Sequence, residues 1–197
     1  CPSCGEKVVV GKKLGEEMKS LLTVAQAEDI KRAEAEARVK KKVLQRAHKL
    51  GFDESAVEQT SQELAQEWGS YPAPGDLVWA LCGKAVEKAC VRESCDWAAL
   101  SRAYQVQAEV LEEEGRSTVE ADLRANDAQL HYFEGVFGNM DLRPEVIVST
   151  RKNCCPECAK LSGKVFSISE AIAGKVLPNP DCTNSRCRCT WRGNYDQ

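Results

Sequence analysis

Cys154-Cys155-Pro156-Glu157-Cys158 and Cys182-Thr183-Asn184-Ser185-Arg186-Cys187-Arg188-Cys189 are the stretches that decide how the C-terminal quarter of this chain is read. A Cys-x2-Cys turn sets two thiolates on one tight knuckle, at a separation suited to tetrahedral zinc with Zn–S of about 2.3 Å. The second pair comes from a distant point in sequence, so a shared metal closes the intervening loop. The reading is a structural zinc site formed by four of Cys155, Cys158, Cys182, Cys187 and Cys189. Cys155, Cys158, Cys182 and Cys187 are the favoured set, Cys189 is the rival for fourth place, and Cys154 lies outside it. Free or redox thiols and an iron–sulfur cluster are the competing uses of these residues.

The residues around the cysteines fit a small α+β unit. Glu145-Val-Ile-Val148 is a β-branched run after Pro144 and reads as a strand. Val165-Phe-Ser-Ile168 is a second strand, and Ser169 is expected to cap one or two helical turns through Ala173. So few large apolar side chains could hardly hold a fold alone, whereas bound zinc supplies folding energy to such modules.

The run Val146-Ile-Val-Ser-Thr-Arg151, Cys155-Pro-Glu-Cys158, Leu161-Ser-Gly-Lys-Val-Phe166, Leu177-Pro178 and Cys187-Arg-Cys189 resembles the C-terminal signature of the phage Mu F-like head morphogenesis (minor capsid) family. The likeness covers about 45 residues. Members often carry a histidine shortly before Cys-Arg-Cys, where this sequence has Asn179 or Cys182. The resemblance implies a structural role in head assembly or DNA packaging, with capsid or portal proteins as partners and a virion location.

Upstream, helical patterning dominates. Thr23 to Leu50 has no Pro or Gly, with Thr23 as cap, Gly51 as stop, and Val39, Val43, Ala47 and Leu50 on one face. Asp53 to Trp68 gives a second helix, with Val57, Leu64 and Trp68 as its stripe. After the Pro72/Pro74 break, Asp76 is expected to cap a third, bearing Val78, Leu81, Cys82, Ala85, Val86 and Ala89. Asp96 to Glu114 gives a fourth. Ser117 to about Phe137 gives a fifth, opened by a capping box of Ser117 and Glu120.

The fold class expected is mainly α: about five helices followed by a small treble-clef-like α+β zinc module. Three regions follow: residues 1–22 as a partial zinc-ribbon-like segment, 23–140 as the helical domain, and 141–197 as the zinc module. Cys1-Pro-Ser-Cys4-Gly5 is the ribbon knuckle, a second metal site if partners complete it.

The net charge of −3 divides unevenly: residues 151–197 hold eight Lys/Arg against four Asp/Glu. Arg151, Lys152, Lys160, Lys164, Arg186, Arg188 and Arg192, with Trp191 for stacking, make nucleic acid an alternative partner. Catalytic patterns are absent: there is no phosphate loop and no nucleophile elbow, and His48 and His131 lie far from the cysteines in sequence. Glu157, Glu170 and Asp181 are the local acids that a nuclease on a treble-clef scaffold would need. The Glu112-Glu-Glu114 run reads as a solvated helix end. No apolar run is long enough to span a membrane. The expectation is a soluble, cytoplasmic, non-enzymatic structural or assembly protein that binds Zn²⁺ and has protein partners.

Overall fold

Asp53 and Asp96 each precede an apolar stripe, and each caps a helix in the computed structural model. The Asp53 carboxylate accepts from the Ala56 N–H at 2.8 Å, and that of Asp96 from the Ala99 N–H at 2.9 Å. Each satisfies an N–H that the first helical turn leaves without a backbone acceptor. The structure describes residues 4–91, 94–140 and 142–195, with side chains from Gln26 onward. In order, the elements are α1 (Cys4–Lys49), α2 (Glu54–Trp68), α3 (Pro74–Ala89), β1 (Cys90–Val91), β2 (Ser94–Cys95), α4 (Trp97–Glu113), α5 (Val119–Met140), β3 (Glu145–Ser149), α6 (Pro156–Ala159), β4 (Val165–Ser167), α7 (Ile168–Gly174) and β5 (Thr190–Gly193). The described chain is mainly helical, with small antiparallel sheets.

Contacts divide the chain into two compact units, Cys1–Lys42 and Val43–Gln197. The first is helix from Cys4 on, where a ribbon segment over residues 1–22 is expected from sequence, and its helix begins well before Thr23. Its described side chains are solvent-facing, with local pairs such as Arg32–Asp29 at 3.6 Å. Val39 is exposed rather than part of a buried face, because burial along α1 begins at Val43.

In the second unit the last turns of α1 place Val43 and Ala47 against Val57, Leu77, Val78, Leu81, Cys82, Val106 and Val110. Each large apolar side chain buried this way contributes roughly 1.5–3 kcal/mol. Trp68, expected on the inner face of α2, is half exposed.

Three expected caps move. α3 starts at Pro74 with Ala73 as N-cap and no side-chain cap bond, so Asp76 sits inside the first turn. Proline suits that first position because it has no N–H to leave unpaired, and the Asp76 charge still favours the positive end of the helix. α5 starts at Val119, and Glu120 pairs with Arg124 at 2.5 Å instead of reaching back to Ser117. α7 is capped by Ser167, not Ser169. The Ser167 hydroxyl accepts from the Glu170 N–H at 3.2 Å, and the Glu170 carboxylate accepts from the Ser167 N–H at 3.0 Å. That shortens β4 to Val165–Ser167 and makes Ile168 the first helical residue.

The C-terminal sheet has the order β4-β3-β5, with β3 antiparallel to both neighbours. Val146 pairs with Phe166 on one side and Gly193 on the other, and Val148 pairs with Trp191. Val146, Val148 and Trp191 face inward and share one core with Leu130, Phe133 and Phe137 of α5, and with Ile168, Ala171 and Leu177. β5 lacks the length that marks a strand in sequence. Its open edge is met by Gln129 of α5, whose amide donates to the Trp191 carbonyl at 3.0 Å and accepts from the Trp191 N–H at 3.2 Å. The carboxamide does for this edge what another strand would.

Candidate metal centre

Cys155 is the N-cap of α6, and Pro156 at the first helical position turns the chain so that Cys158 follows one turn later. The Cys158 N–H donates to Cys155 Sγ at 3.4 Å. The other cysteines arrive on the chain between α7 and β5. Cys155, Cys158 and Cys182 have their sulfurs within 4.8 Å of one another, and so do Cys158, Cys187 and Cys189. Cys158 belongs to both groups. The Cys155–Cys182 sulfurs are 3.7 Å apart, and those of Cys158 and Cys187 are 3.8 Å apart. A tetrahedron with Zn–S bonds of about 2.3 Å has an S···S edge of roughly 3.8 Å, which these two separations match. Sequence spacing cannot show this convergence.

Hydrogen bonds distinguish the five. The N–H groups of Cys158 and Thr183 hold the Cys155 thiol down at about 6. Cys187 Sγ accepts from the Asn179 N–H at 3.4 Å, and Cys158 Sγ from the Asn179 side-chain amide at 3.6 Å. Burial pushes Cys158 up, and the Asn179 amide opposes that shift. Burial also raises Cys182, against the Asn184 N–H. Cys189 is pushed up to about 12 by burial, with the Cys187 thiol adding to the shift. The thiolate is the form that binds metal, and N–H donors stabilise it. Asn179 thus stands behind the cluster as a donor, and Cys182 places its sulfur beside those of Cys155 and Cys158. A cavity of about 650 Å³ bordered by Arg151, Lys152, Cys154 and Arg188 reaches Cys158, Cys182 and Cys189.

The loop carrying Cys182 and Cys187 is tied to the helices by a contact that sequence does not signal. Arg186, its side chain nine-tenths buried, donates to the Asp122 carboxylate at 2.8 and 3.0 Å and to Glu112 at 3.3 Å. Arg188 donates to the other Glu112 oxygen at 2.5 Å. Burial alone would lower the Arg186 pKa, but Asp122 and Glu112 outweigh it and the net shift is upward. Glu112, read from sequence as solvated, instead anchors this loop.

The remaining sequence candidates separate cleanly. Cys1 lies outside the described residues; Cys4 is the first residue of α1, and its side chain lies outside them. Cys82 is fully buried in the helical core, and Cys154 borders the cavity without joining either sulfur group. His131 stacks on Trp97 at 4.6 Å and His48 is exposed; neither joins the sulfurs. Trp191 is 3% exposed, packed edge-on against Phe166, and so does not offer a stacking face to nucleic acid. Among the basic residues, Arg186, Arg188 and Lys160 face Asp122, Glu112 and Glu157, which weakens the expected basic face. Glu170 is occupied in the α7 cap.

No helix among the described residues is long and apolar enough to cross a membrane. No protein-family model, curated protein or solved structure gives a significant match to this chain.

Proposed function

We propose that this chain is a non-enzymatic structural protein whose C-terminal segment is a treble-clef-like module stapled by one Zn²⁺, with Cys155, Cys158, Cys182 and Cys187 as ligands. The observation that carries this is the meeting at Cys158 of two three-sulfur groups from two points in the chain, Cys155/Cys158/Cys182 and Cys158/Cys187/Cys189, with contacts of 3.7 and 3.8 Å between sulfurs. An all-thiolate set leaves no open position for water, unlike a catalytic zinc. Zinc would supply folding energy to the module and fix the loop that Arg186 ties to Asp122. Cys189, whose sulfur groups with those of Cys158 and Cys187, is the rival for the fourth place.

The biological reading is an assembly role like that of the Mu F-like head morphogenesis family, with capsid or portal proteins as partners. Its support is the motif series through Cys187-Arg-Cys189 and the rigid attachment of the module to the helices. Metal analysis of the purified chain should return about one zinc per molecule, and a chelator should unfold the module. Zinc-free protein with an intact module would sink the metal reading. The assembly role predicts neighbouring portal, terminase or capsid genes and a complex with their products on co-expression; the absence of both overturns it. A salt-dependent DNA titration tests the alternative partner.

A further inference from the structure

We propose that Cys90 and Cys95, in the β1–β2 ribbon between α3 and α4, are a redox-reversible disulfide site. The two residues are register partners in the β1–β2 ribbon, with Val91 opposite Ser94. The next pair outward, Ala89 and Asp96, is joined by an Asp96 N–H to Ala89 carbonyl bond of 2.8 Å. Antiparallel pairs alternate, so Cys90 and Cys95 occupy the non-hydrogen-bonded position, where Cα atoms lie about 4.5 Å apart and side chains are closest. That lies within the range of about 4.4–6.8 Å which a disulfide spans, so the strand pairing suits closure. The two sulfurs already sit 3.3 Å apart.

Access separates this pair from Cys82 of α3. Cys90 is exposed and Cys95 half-buried, whereas Cys82 is sealed in the core. The loop closed between them is short, so bonding removes little freedom from the unfolded chain. Such a bond adds little stability and reverses readily, as suits a switch more than a staple. Once formed it ties the end of α3 to the start of α4, two residues before the Trp97 that stacks on His131.

The oxidant class is a low-molecular-weight disulfide such as oxidised glutathione. The Cys90 thiolate attacks one sulfur of the reagent, the reagent's S–S bond breaks, and one glutathione thiolate leaves. The Cys95 thiolate then attacks the Cys90 sulfur of this mixed disulfide. The Cys90–Cys95 bond forms, and the second glutathione thiolate leaves. The protein loses two electrons and two protons, and the reagent becomes two thiols.

The test uses the full chain, zinc present, equilibrated across glutathione redox buffers, then alkylated and digested with trypsin. Cleavage after Lys88, Arg92 and Arg102 leaves residues 89–92 and 93–102 as two peptides joined only by the disulfide. The expected result is this joined pair at full occupancy under conditions where zinc content is unchanged, and its loss with excess reduced glutathione. Cys95→Ser should trap a glutathione adduct on Cys90. Complete alkylation of both residues while the zinc cysteines oxidise would overturn the proposal. So would loss of one zinc per chain in the Cys90→Ser/Cys95→Ser variant with the Cys155–Cys189 cluster intact, which makes the pair metal ligands.

Discussion

Arg186 and Asp122, 64 residues apart in sequence, meet in a buried pair at 2.8 Å that ties the cysteine-bearing loop to the start of α5. The arginine guanidinium gives two N–H groups to one carboxylate, with Glu112 taking a third, so the loop is fixed in orientation as well as position.

Arg186→Ala leaves the Asp122 carboxylate buried without its cation, and should destabilise the chain by about 3–5 kcal/mol in urea unfolding. Replacing both partners together, Arg186→Met with Asp122→Leu, should recover much of that loss, since apolar groups of similar size can replace a buried pair. Equal losses in the single and double variants would mean that the pair is not coupled.

Glu112 should impart an acid dependence. Burial alone raises its carboxyl, but hydrogen bonds from Arg188 and Arg186 outweigh this and hold it below its ordinary value of 4.5. With the folded pKa below the unfolded one, its contribution is complete above about pH 4.5 and is lost as pH falls through the folded value. The stability gap between wild type and Glu112→Gln should therefore stay level at neutral pH and narrow toward acid, over the range in which zinc remains bound. A gap that widens toward acid contradicts the assignment.

The sulfur positions rank the cysteines. Cys158 belongs to both sulfur groups, so Cys158→Ser should abolish zinc binding, while Cys189→Ser should retain about one zinc per chain at reduced affinity. Zinc retained in Cys158→Ser, or lost altogether in Cys189→Ser, reverses the ligand set.

Gln129 is the test of the β5 edge. Gln129→Ala removes both bonds to the Trp191 backbone and leaves that N–H and carbonyl without their partner. The cost should be about 1–3 kcal/mol, with faster amide hydrogen exchange across Thr190–Gly193 than across β3. Unchanged exchange at Trp191 would show that the edge is held by other means.

Most of the helical body was legible because its signals are local. Asp53 and Asp96 announce their helices, and the spacing of Val78, Leu81, Cys82 and Ala85 marks a face that is buried in the structure. Where sequence reading missed, a second local rule had won. Pro74 started α3 ahead of Asp76, and the Ser167–Glu170 box, three residues apart and visible in the sequence, capped α7 ahead of Ser169. Trp191 carries no burial signal in the sequence because β5 is too short to display its alternation; its burial follows from pairing with Val148.

The sequence by itself determined the existence of α2 to α5 and the Cys155-x2-Cys158 knuckle, since caps, apolar periods and turn spacing act over a few residues. Only the tertiary structure decided which sulfurs meet, that Asn179 donates to them, that Glu112 and Asp122 hold Arg186, and that Gln129 closes β5. The Gln129 and Asp122 contacts join residues 62 and 64 positions apart. No local spacing encodes such a pairing, because it exists only once the sheet has packed on α5 and buried the core around Phe137.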